Sequence, residues 1–256
     1  MSKKKSLFKS NKLLHKNIDK FLNSYRSVFA QEVNKTSAYF ELSIYNNIVK
    51  FYETNGYLLE VKNLKNKKKE FIYALSPNAK PSNCSYFIAK KEYSKRNGEK
   101  ETFSFEIRHN LRIQSRHENN IFISPDYAVI FKNSIKSTKL NYYFNGKVDY
   151  FYVKAEDVVT FAETKNYIPS PELVFNFIGL VNEIKPCVLN NTYKKIKPKH
   201  LAPSLFISGN SNNHLTRIKY SLEKRYKVNI FMGMFAYPSQ LYSKRNQHSI
   251  KKIGTI

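Results

Sequence analysis

The order of apolar patterns along the chain predicts an α/β fold, an α+β arrangement in which helices flank one central mixed β-sheet. Residues 36–56 repeat apolar side chains at helical spacing. Residues 57–165 contain many short runs rich in Tyr, Phe, Ile and Val, separated by turn-forming clusters. After residue 169, helical and strand-like runs alternate, and a helix between two strands of one sheet implies a parallel pair. The sheet is therefore expected to be antiparallel first and parallel later.

The first helix is predicted from Thr36 to the Asn55-Gly56 pair. Thr36 and Ser37 are residue types that cap a helix start, and glycine commonly follows a helix end. The apolar stripe of this helix contains Phe40, Ile44, Ile48 and Phe51. Glu41 lies beside that stripe rather than opposite it, so its carboxylate is expected near the core.

Turn and cap signals divide the rest of the chain. Asn145-Gly146, between NYYF and KVDYFYV, is a strong two-residue hairpin signal. Ser170 and Pro171 predict the start of a second helix. The runs that follow predict a strand (LAPSLFISG), a third helix (HLTRIKYSLEKRY) and a last strand (VNIFMGMFA). We expect a single domain over residues 37–236, after a basic helical lead-in (1–36) and before a loose basic tail (237–256).

Composition excludes several classes of protein. Two cysteines, with no CxxC pair, argue against a disulfide framework and a thiolate zinc site. No apolar run reaches the length of a membrane span, and the basic N-terminus lacks the apolar region of a signal peptide. We therefore expect a cytoplasmic protein. The sequence also lacks a P-loop, a Rossmann glycine motif, HExxH and GxSxG.

The charge of the chain points to a polyanionic partner. Lys and Arg number 44 against 19 Asp and Glu, which gives a formal net charge of +25. Such a surplus attracts nucleic acid, and less specifically an anionic membrane surface. DNA is the first candidate, and RNA is not excluded by the charge. The alternative is a general lysine-rich bias in composition.

The segment VVTFAETK (residues 158–165) is an apolar run that ends in two charged residues, Glu163 and Lys165. Side chains alternate across a strand, so Glu163 and Lys165 share one face and Thr164 points to the other. The near-continuous apolar run predicts a central strand that is covered on both faces. A solvated Glu–Lys pair is the alternative interpretation, and the chain contains a second such tripeptide at residues 60–62. That second tripeptide is better explained as part of the first core strand.

Pro125-Asp126 marks a second strand that could lie next to the central strand. Proline cannot donate to a sheet ladder, so Pro125 marks a strand start and Asp126 begins the next run. If the two strands are neighbours, the carboxylates of Asp126 and Glu163 converge. Close carboxylates repel each other unless a cation lies between them, and oxygen ligands favour Mg²⁺ or Mn²⁺. Lys165 beside them can hold a water or offset transition-state charge.

In these residues, Pro125-Asp126 and Glu163-Thr164-Lys165, the chain resembles the PD-(D/E)XK nuclease superfamily, which has the restriction-endonuclease-like fold. The resemblance covers about residues 37–236 and includes the order of helices and strands. It implies that Asp126 and Glu163 are metal ligands, that the Thr164 carbonyl is a further ligand and that Lys165 orients water. It also implies a glutamate from the first helix, for which Glu41 is the best match. The 36 residues between the acidic pair then hold an inserted hairpin.

A second stretch is a candidate DNA-binding strand. As a continuous strand, FEIRHNLRIQSRH would place polar side chains on one face, where arginines bind phosphate and Asn or Gln reads adenine. These candidates are Arg108, Asn110, Arg112, Gln114 and Arg116. A solvated strand face is the alternative.

The residues and the resemblance together favour a Mg²⁺-dependent endodeoxyribonuclease, of a restriction or phage-defence type. A non-catalytic nucleic-acid-binding protein on the same fold is the second hypothesis, and a basic structural protein is the third. Enzymes of the resembled group often act as dimers, so a homodimer or a partner subunit stays open.

Overall fold

The computed structural model describes residues 36–65, 70–73, 76–94, 98–140, 148–193, 196–234, 241, 246 and 248–255. The basic lead-in before Thr36 and the Asn145-Gly146 turn lie outside these ranges. All statements below concern the described residues.

Three α-helices and thirteen β-strands make up the described part of the chain. The helices are α1 (Thr36–Thr54), α2 (Pro171–Ile184) and α3 (Asn213–Arg225). The strands are β1 (Leu58–Lys62), β2 (Tyr86–Ser94), β3 (Lys100–His109), β4 (Arg112–Gln114), β5 (Phe122–Ile123), β6 (Tyr127–Phe131), β7 (Lys136–Leu140), β8 (Val148–Lys154), β9 (Val158–Lys165), β10 (Ile196–Leu201), β11 (Ser204–Ile207), β12 (Asn229–Phe231) and β13 (Lys252–Thr255). Short 3₁₀ turns cover Pro81–Asn83, Ala155–Asp157 and Pro186–Val188.

The main sheet has seven strands in the order β1-β2-β3-β6-β9-β11-β12. Neighbours from β1 to β9 are antiparallel, whereas β9, β11 and β12 are parallel. The predicted mixed sheet, antiparallel first and parallel later, is therefore confirmed. Its parallel part is joined by α2 and α3, as expected for strand–helix–strand connections.

Hydrophobic cores cover both faces of this sheet. On one face α1 packs with buried aromatic side chains, Tyr45 and Phe51 among them. On the other face α2 and α3 supply Val174, Phe177 and Leu215. Strand β9 contributes to both cores, with Val159 and Ala162 in the first and Val158 and Phe161 in the second, which is why its sequence is apolar on both faces.

The helix boundaries follow the local signals. Ser170 caps α2 by accepting a hydrogen bond from the Leu173 N–H, and Pro171 occupies the first turn. The left-handed backbone of Gly56 (φ 75°) follows the end of α1. No described helix has the length and apolar character needed to cross a membrane.

A second sheet has four strands in the order β5-β4-β8-β7. Strands β4 and β5 precede Asp126 in the chain, and β7 and β8 lie between Asp126 and Glu163. A hairpin is present between Asp126 and Glu163, but the strand that pairs with β8 is β7 (Lys136–Leu140). The predicted partner NYYF, residues 141–144, lies outside the described ranges. The continuous strand predicted for FEIRHNLRIQSRH (residues 105–117) is wrong. Asn110 adopts a positive φ of 48° and separates β3 from β4, which belongs to the second sheet.

Two further expectations differ from the structure. The short apolar runs of residues 57–165, predicted as strands, include EFIYAL (residues 70–75). The described part of EFIYAL shows only an isolated bridge between Glu70 and Lys65. The tail was expected to be loose from residue 237, but its last described residues form β13, which pairs with β10. Ile253 is buried in the core beside α2 and α3, so apolar burial holds this segment on the domain.

Candidate functional site

The structure brings Asp126 to the end of β9. Tyr127, the first residue of β6, pairs with Ala162 of β9. Asp126 therefore lies beside Thr164, and its Oδ2 accepts two hydrogen bonds, from the Thr164 N–H at 2.6 Å and from the Thr164 hydroxyl at 2.7 Å. The predicted adjacency of the Asp126 strand and the Glu163 strand is present.

Glu163 and Lys165 form an ion pair at the same strand end. The Lys165 ammonium donates to Glu163 Oε1 at 2.5 Å. The Glu163 side chain is 11% exposed and that of Lys165 is 36% exposed. Glu163 Oε2 is buried and has no hydrogen-bond partner among the described residues. A buried carboxylate oxygen without a donor is costly, so a ligand at this position would be stabilising.

The other Glu-X-Lys tripeptide, Glu60-Val61-Lys62, shows how the same sequence pattern behaves when it is exposed to solvent. Glu60 and Lys62 also form an ion pair, but their side chains are 43% and 40% exposed. Hydrogen bonds from Lys62 and Lys90 lower the pKa of Glu60. Glu163 shifts in the opposite direction, so burial, and not the tripeptide, distinguishes the two positions.

Burial raises the pKa of all three carboxyl groups of the acidic cluster, Glu41, Asp126 and Glu163. Burial, followed by the charge of Asp126, raises the pKa of Glu163 to about 7. Burial and Asp126 likewise raise the pKa of Glu41 to about 7. Burial raises the pKa of Asp126 itself, against the two Thr164 hydrogen bonds. Burial disfavours the ammonium form of Lys165, yet the surrounding carboxylates, Glu163 first, raise its pKa.

Glu41 reaches this cluster from α1, which the core holds against the sheet. The Tyr127 hydroxyl donates to the backbone carbonyl of Glu41 and lies 3.1 Å from the Tyr73 hydroxyl. The Tyr45 hydroxyl donates to the Ile107 carbonyl at 2.9 Å. Helix α1 is thus attached to both β3 and β6 close to the acidic cluster.

The donor atoms of the cluster suit a hard divalent cation. Its side chains offer carboxylate oxygens, and the unpartnered Glu163 Oε2 is one of them. Within the described ranges, however, no three His, Cys, Asp or Glu side chains already have the geometry of a metal site.

Two further polar residues, which were not predicted from the sequence, lie at the same end of the sheet as Glu163 and Lys165. Asn166 follows β9 and Ser208 follows β11, and the Ser208 N–H donates to the Lys165 carbonyl at 3.1 Å. Asn166 Oδ1 and Ser208 Oγ are buried without a hydrogen-bond partner among the described residues. Their signal in the sequence is their position directly after two apolar strands.

A cavity of about 260 Å³ opens beside Glu163 and Lys165. Its other wall is α2, which contributes Ser170, Glu172, Leu173 and Asn176 among others. The acidic cluster therefore borders a space that solutes can enter.

The candidate DNA-binding residues are not gathered on one exposed strand face. Arg108 is buried, donates to Glu106 at 2.6 Å and lies 3.6 Å from the Tyr86 ring centroid. Arg112 is buried, hydrogen-bonded to Asn78 and stacked on the Tyr150 ring.

The remaining candidates of that stretch also separate. Gln114 is buried and donates to the Asn119 carbonyl at 2.7 Å. Asn110 forms the turn between β3 and β4. Arg116 alone of the five predicted residues is exposed, because the strand ends before it.

Comparisons with protein-family models, curated proteins and solved structures found no match to this chain.

Proposed function

We propose that the protein is a metal-dependent endonuclease that hydrolyses phosphodiester bonds of DNA. The observation that supports it most is that Asp126 and Glu163 come from neighbouring strands and lie close enough for the charge of Asp126 to raise the pKa of Glu163, with Lys165 at the same strand end. The order α1, antiparallel strands, β9, α2, β11 also resembles the PD-(D/E)XK nuclease core. The net charge of +25 favours a DNA partner.

In this proposal Asp126 and Glu163 hold Mg²⁺ or Mn²⁺, with the Thr164 backbone carbonyl as a further ligand. Glu163 Oε2 is the oxygen that gains most, because it is buried and unpartnered. When bound, the cation supplies Lewis acidity and lowers the pKa of a water molecule. Thr164 positions Asp126 through its two hydrogen bonds.

Lys165 and Glu41 complete the proposed chemistry. The Lys165 ammonium can bind the attacking water or the non-bridging phosphate oxygens and offset their developing negative charge. Glu41, whose carboxylate interacts with Asp126 and Glu163, is a further group that can accept a proton at the site. The cavity along α2 gives the phosphodiester a path to Glu163 and Lys165.

The biological setting we propose, restriction or phage defence in the cytoplasm, is supported by the resemblance alone. A non-catalytic DNA-binding protein is the alternative, and the charge favours both functions equally. Only the endonuclease requires the acidic cluster.

The test is cleavage of supercoiled and linear DNA with Mg²⁺, with Mn²⁺ or with EDTA. We expect metal-dependent cleavage by the wild type, loss in Glu163→Ala, and activity near the wild-type level in the matched control Glu60→Ala. Metal-dependent cleavage that survives in Glu163→Ala would reject this site. Salt-sensitive binding without cleavage in any metal would favour the binding protein.

A further inference from the structure

The loop between β9 and α2 exposes two large apolar side chains in succession. Tyr167 is 65% exposed and Ile168 is 72% exposed. Within the described ranges they are the one consecutive pair among the exposed large apolar residues, which also include Leu58, Ile121, Phe175 and Tyr220. Their exposure leaves apolar surface in water, which binding to another molecule would relieve.

The backbone of this loop packs tightly against Gly209. A Cβ atom at Gly209 would lie 2.7 Å from the Tyr167 carbonyl oxygen and 3.0 Å from Ile168 Cα. The Gly209 N–H donates to that carbonyl at 3.2 Å, and the Gly209 carbonyl accepts from the Gly233 N–H at 2.8 Å. The two side chains are thus presented by a fixed backbone, which reduces the entropy lost on binding.

The loop also borders the proposed site. Lys165 precedes it and Ser170 follows it, and both residues line the cavity beside Glu163. A DNA strand whose phosphodiester reaches Lys165 would therefore pass the loop within a nucleotide or two of that bond.

Aromatic and aliphatic side chains make different contacts with DNA bases. Aromatic rings stack on exposed base faces with little dependence on sequence. Aliphatic side chains insert between base steps, and in duplex DNA this insertion costs the energy of unstacking the step. Continuous duplex hides base faces, so these contacts are available mainly in single strands and opened duplex. The positive charge of the chain supplies the attraction to phosphate that an apolar pair lacks.

We infer that Tyr167 and Ile168 bind unstacked bases beside the cleaved bond, so that the protein prefers single-stranded or locally opened DNA to continuous duplex. This inference rests on the proposed function, because it places DNA at the Glu163–Lys165 end of β9. It concerns the form of the substrate, which the acidic cluster leaves undetermined.

The test measures equilibrium binding of the full chain to fluorescent oligonucleotides in EDTA, as single strand and as duplex of the same sequence. We expect tighter binding to the single strand, weakened about tenfold in Tyr167→Ala and in Ile168→Ala. Duplex binding should change by less than about twofold, and Tyr167→Phe should retain single-strand affinity because its ring still stacks.

Matched controls remove equally exposed side chains elsewhere. Tyr220→Ala on α3 (71% exposed) and Leu58→Ala on β1 (73% exposed) should keep both affinities. Gly209→Ala should reproduce the Tyr167→Ala loss, because its Cβ would displace the loop. Circular dichroism checks that each variant is folded.

Three results would overturn the inference: single-strand affinity unchanged in both loop variants, equal binding of duplex and single strand, or equal losses in the controls. Because EDTA prevents metal-dependent cleavage, these results do not depend on catalysis. Absence of nuclease activity together with loop-dependent single-strand binding would reject the enzyme and keep the base-binding loop.

Discussion

Asp126 Oδ2 accepts hydrogen bonds from both the N–H and the hydroxyl of Thr164, at 2.6 and 2.7 Å. One carboxylate oxygen thereby joins the start of β6 to the end of β9. The bonds favour the ionised form of Asp126 against the effect of burial on its pKa. They also align the two strands from which the proposed metal ligands come.

Thr164→Val should remove the hydroxyl donor and keep the shape of the side chain. A hydrogen bond to a charged group contributes about 1.5–3 kcal/mol, so we expect a loss of that order in the free energy of unfolding. Urea denaturation measures it. Thr164→Ser keeps the hydroxyl and should lose much less, and an equal loss in both variants would show that packing, not the bond, matters.

Mg²⁺ should raise the melting temperature of the wild type. A ligand that binds the native state stabilises it in proportion to the logarithm of its concentration above Kd, and about 2–4 °C is expected for each kcal/mol in a chain of this size. Glu163→Gln should abolish the shift and Glu60→Gln should retain it. Identical shifts in all three proteins would mean that Mg²⁺ binds elsewhere.

The alternation of patterns was sufficient to predict the helices, the mixed sheet and the strand pair that carries Asp126 and Glu163. It failed where side-chain partners decide the structure. Arg108 and Arg112 were predicted to face solvent because charged side chains are usually exposed. In the structure the ion pair with Glu106 and the contact with the Tyr86 ring offset the cost of burying Arg108. The positive φ of Asn110 could not be predicted from the sequence either, since asparagine tolerates a positive φ but does not require it.

Arg108→Ala should destabilise the protein strongly, because it removes the cation paired with the buried Glu106 carboxylate and leaves that carboxylate the hydrogen bond from the Asn133 N–H. Breaking a buried pair by removing one member costs about 3–5 kcal/mol, which thermal and urea unfolding would detect. The control is Arg116→Ala, an exposed residue for which a change within about 0.5 kcal/mol is expected. Similar stability of the two variants would contradict the ion pair's role.

Arg116→Ala should instead affect DNA binding. Because Arg116 is the exposed member of the predicted set, its removal should weaken binding and reduce the slope of log K against log salt by about one unit if it contacts a phosphate. Fluorescence anisotropy at several salt concentrations measures this. An unchanged slope would remove Arg116 from the interface.

His200 should make the protein sensitive to acid. Burial, with a smaller effect from Lys185, lowers the pKa of His200 from 6.5 to about 3, and its Nδ1 lies 3.2 Å from the Tyr52 hydroxyl. Below pH 6.5 the unfolded state binds a proton that the native state does not. Stability is therefore retained above pH 6.5 and falls as pH decreases toward 3, by at most about 1.4 kcal/mol per pH unit.

His200→Gln should reduce this slope relative to the wild type, as followed by urea unfolding between pH 4 and pH 7. His117→Gln, at an exposed position, is the control and should follow the wild-type curve. Parallel curves for all three proteins would assign the acid sensitivity to other groups.

The exposed Glu60–Lys62 pair affects how readily the protein aggregates through the edge of its sheet. Strand β1 is the outermost strand on its side of the seven-stranded sheet, and an outer strand can recruit a strand from another molecule and start aggregation. Charges at Glu60, Lys62 and the neighbouring Lys90 make such strand addition unfavourable, because they would be desolvated by an incoming chain. The same Glu-X-Lys pattern is therefore buried at the end of β9 but exposed on the edge strand β1, where its charges oppose association between copies of the molecule.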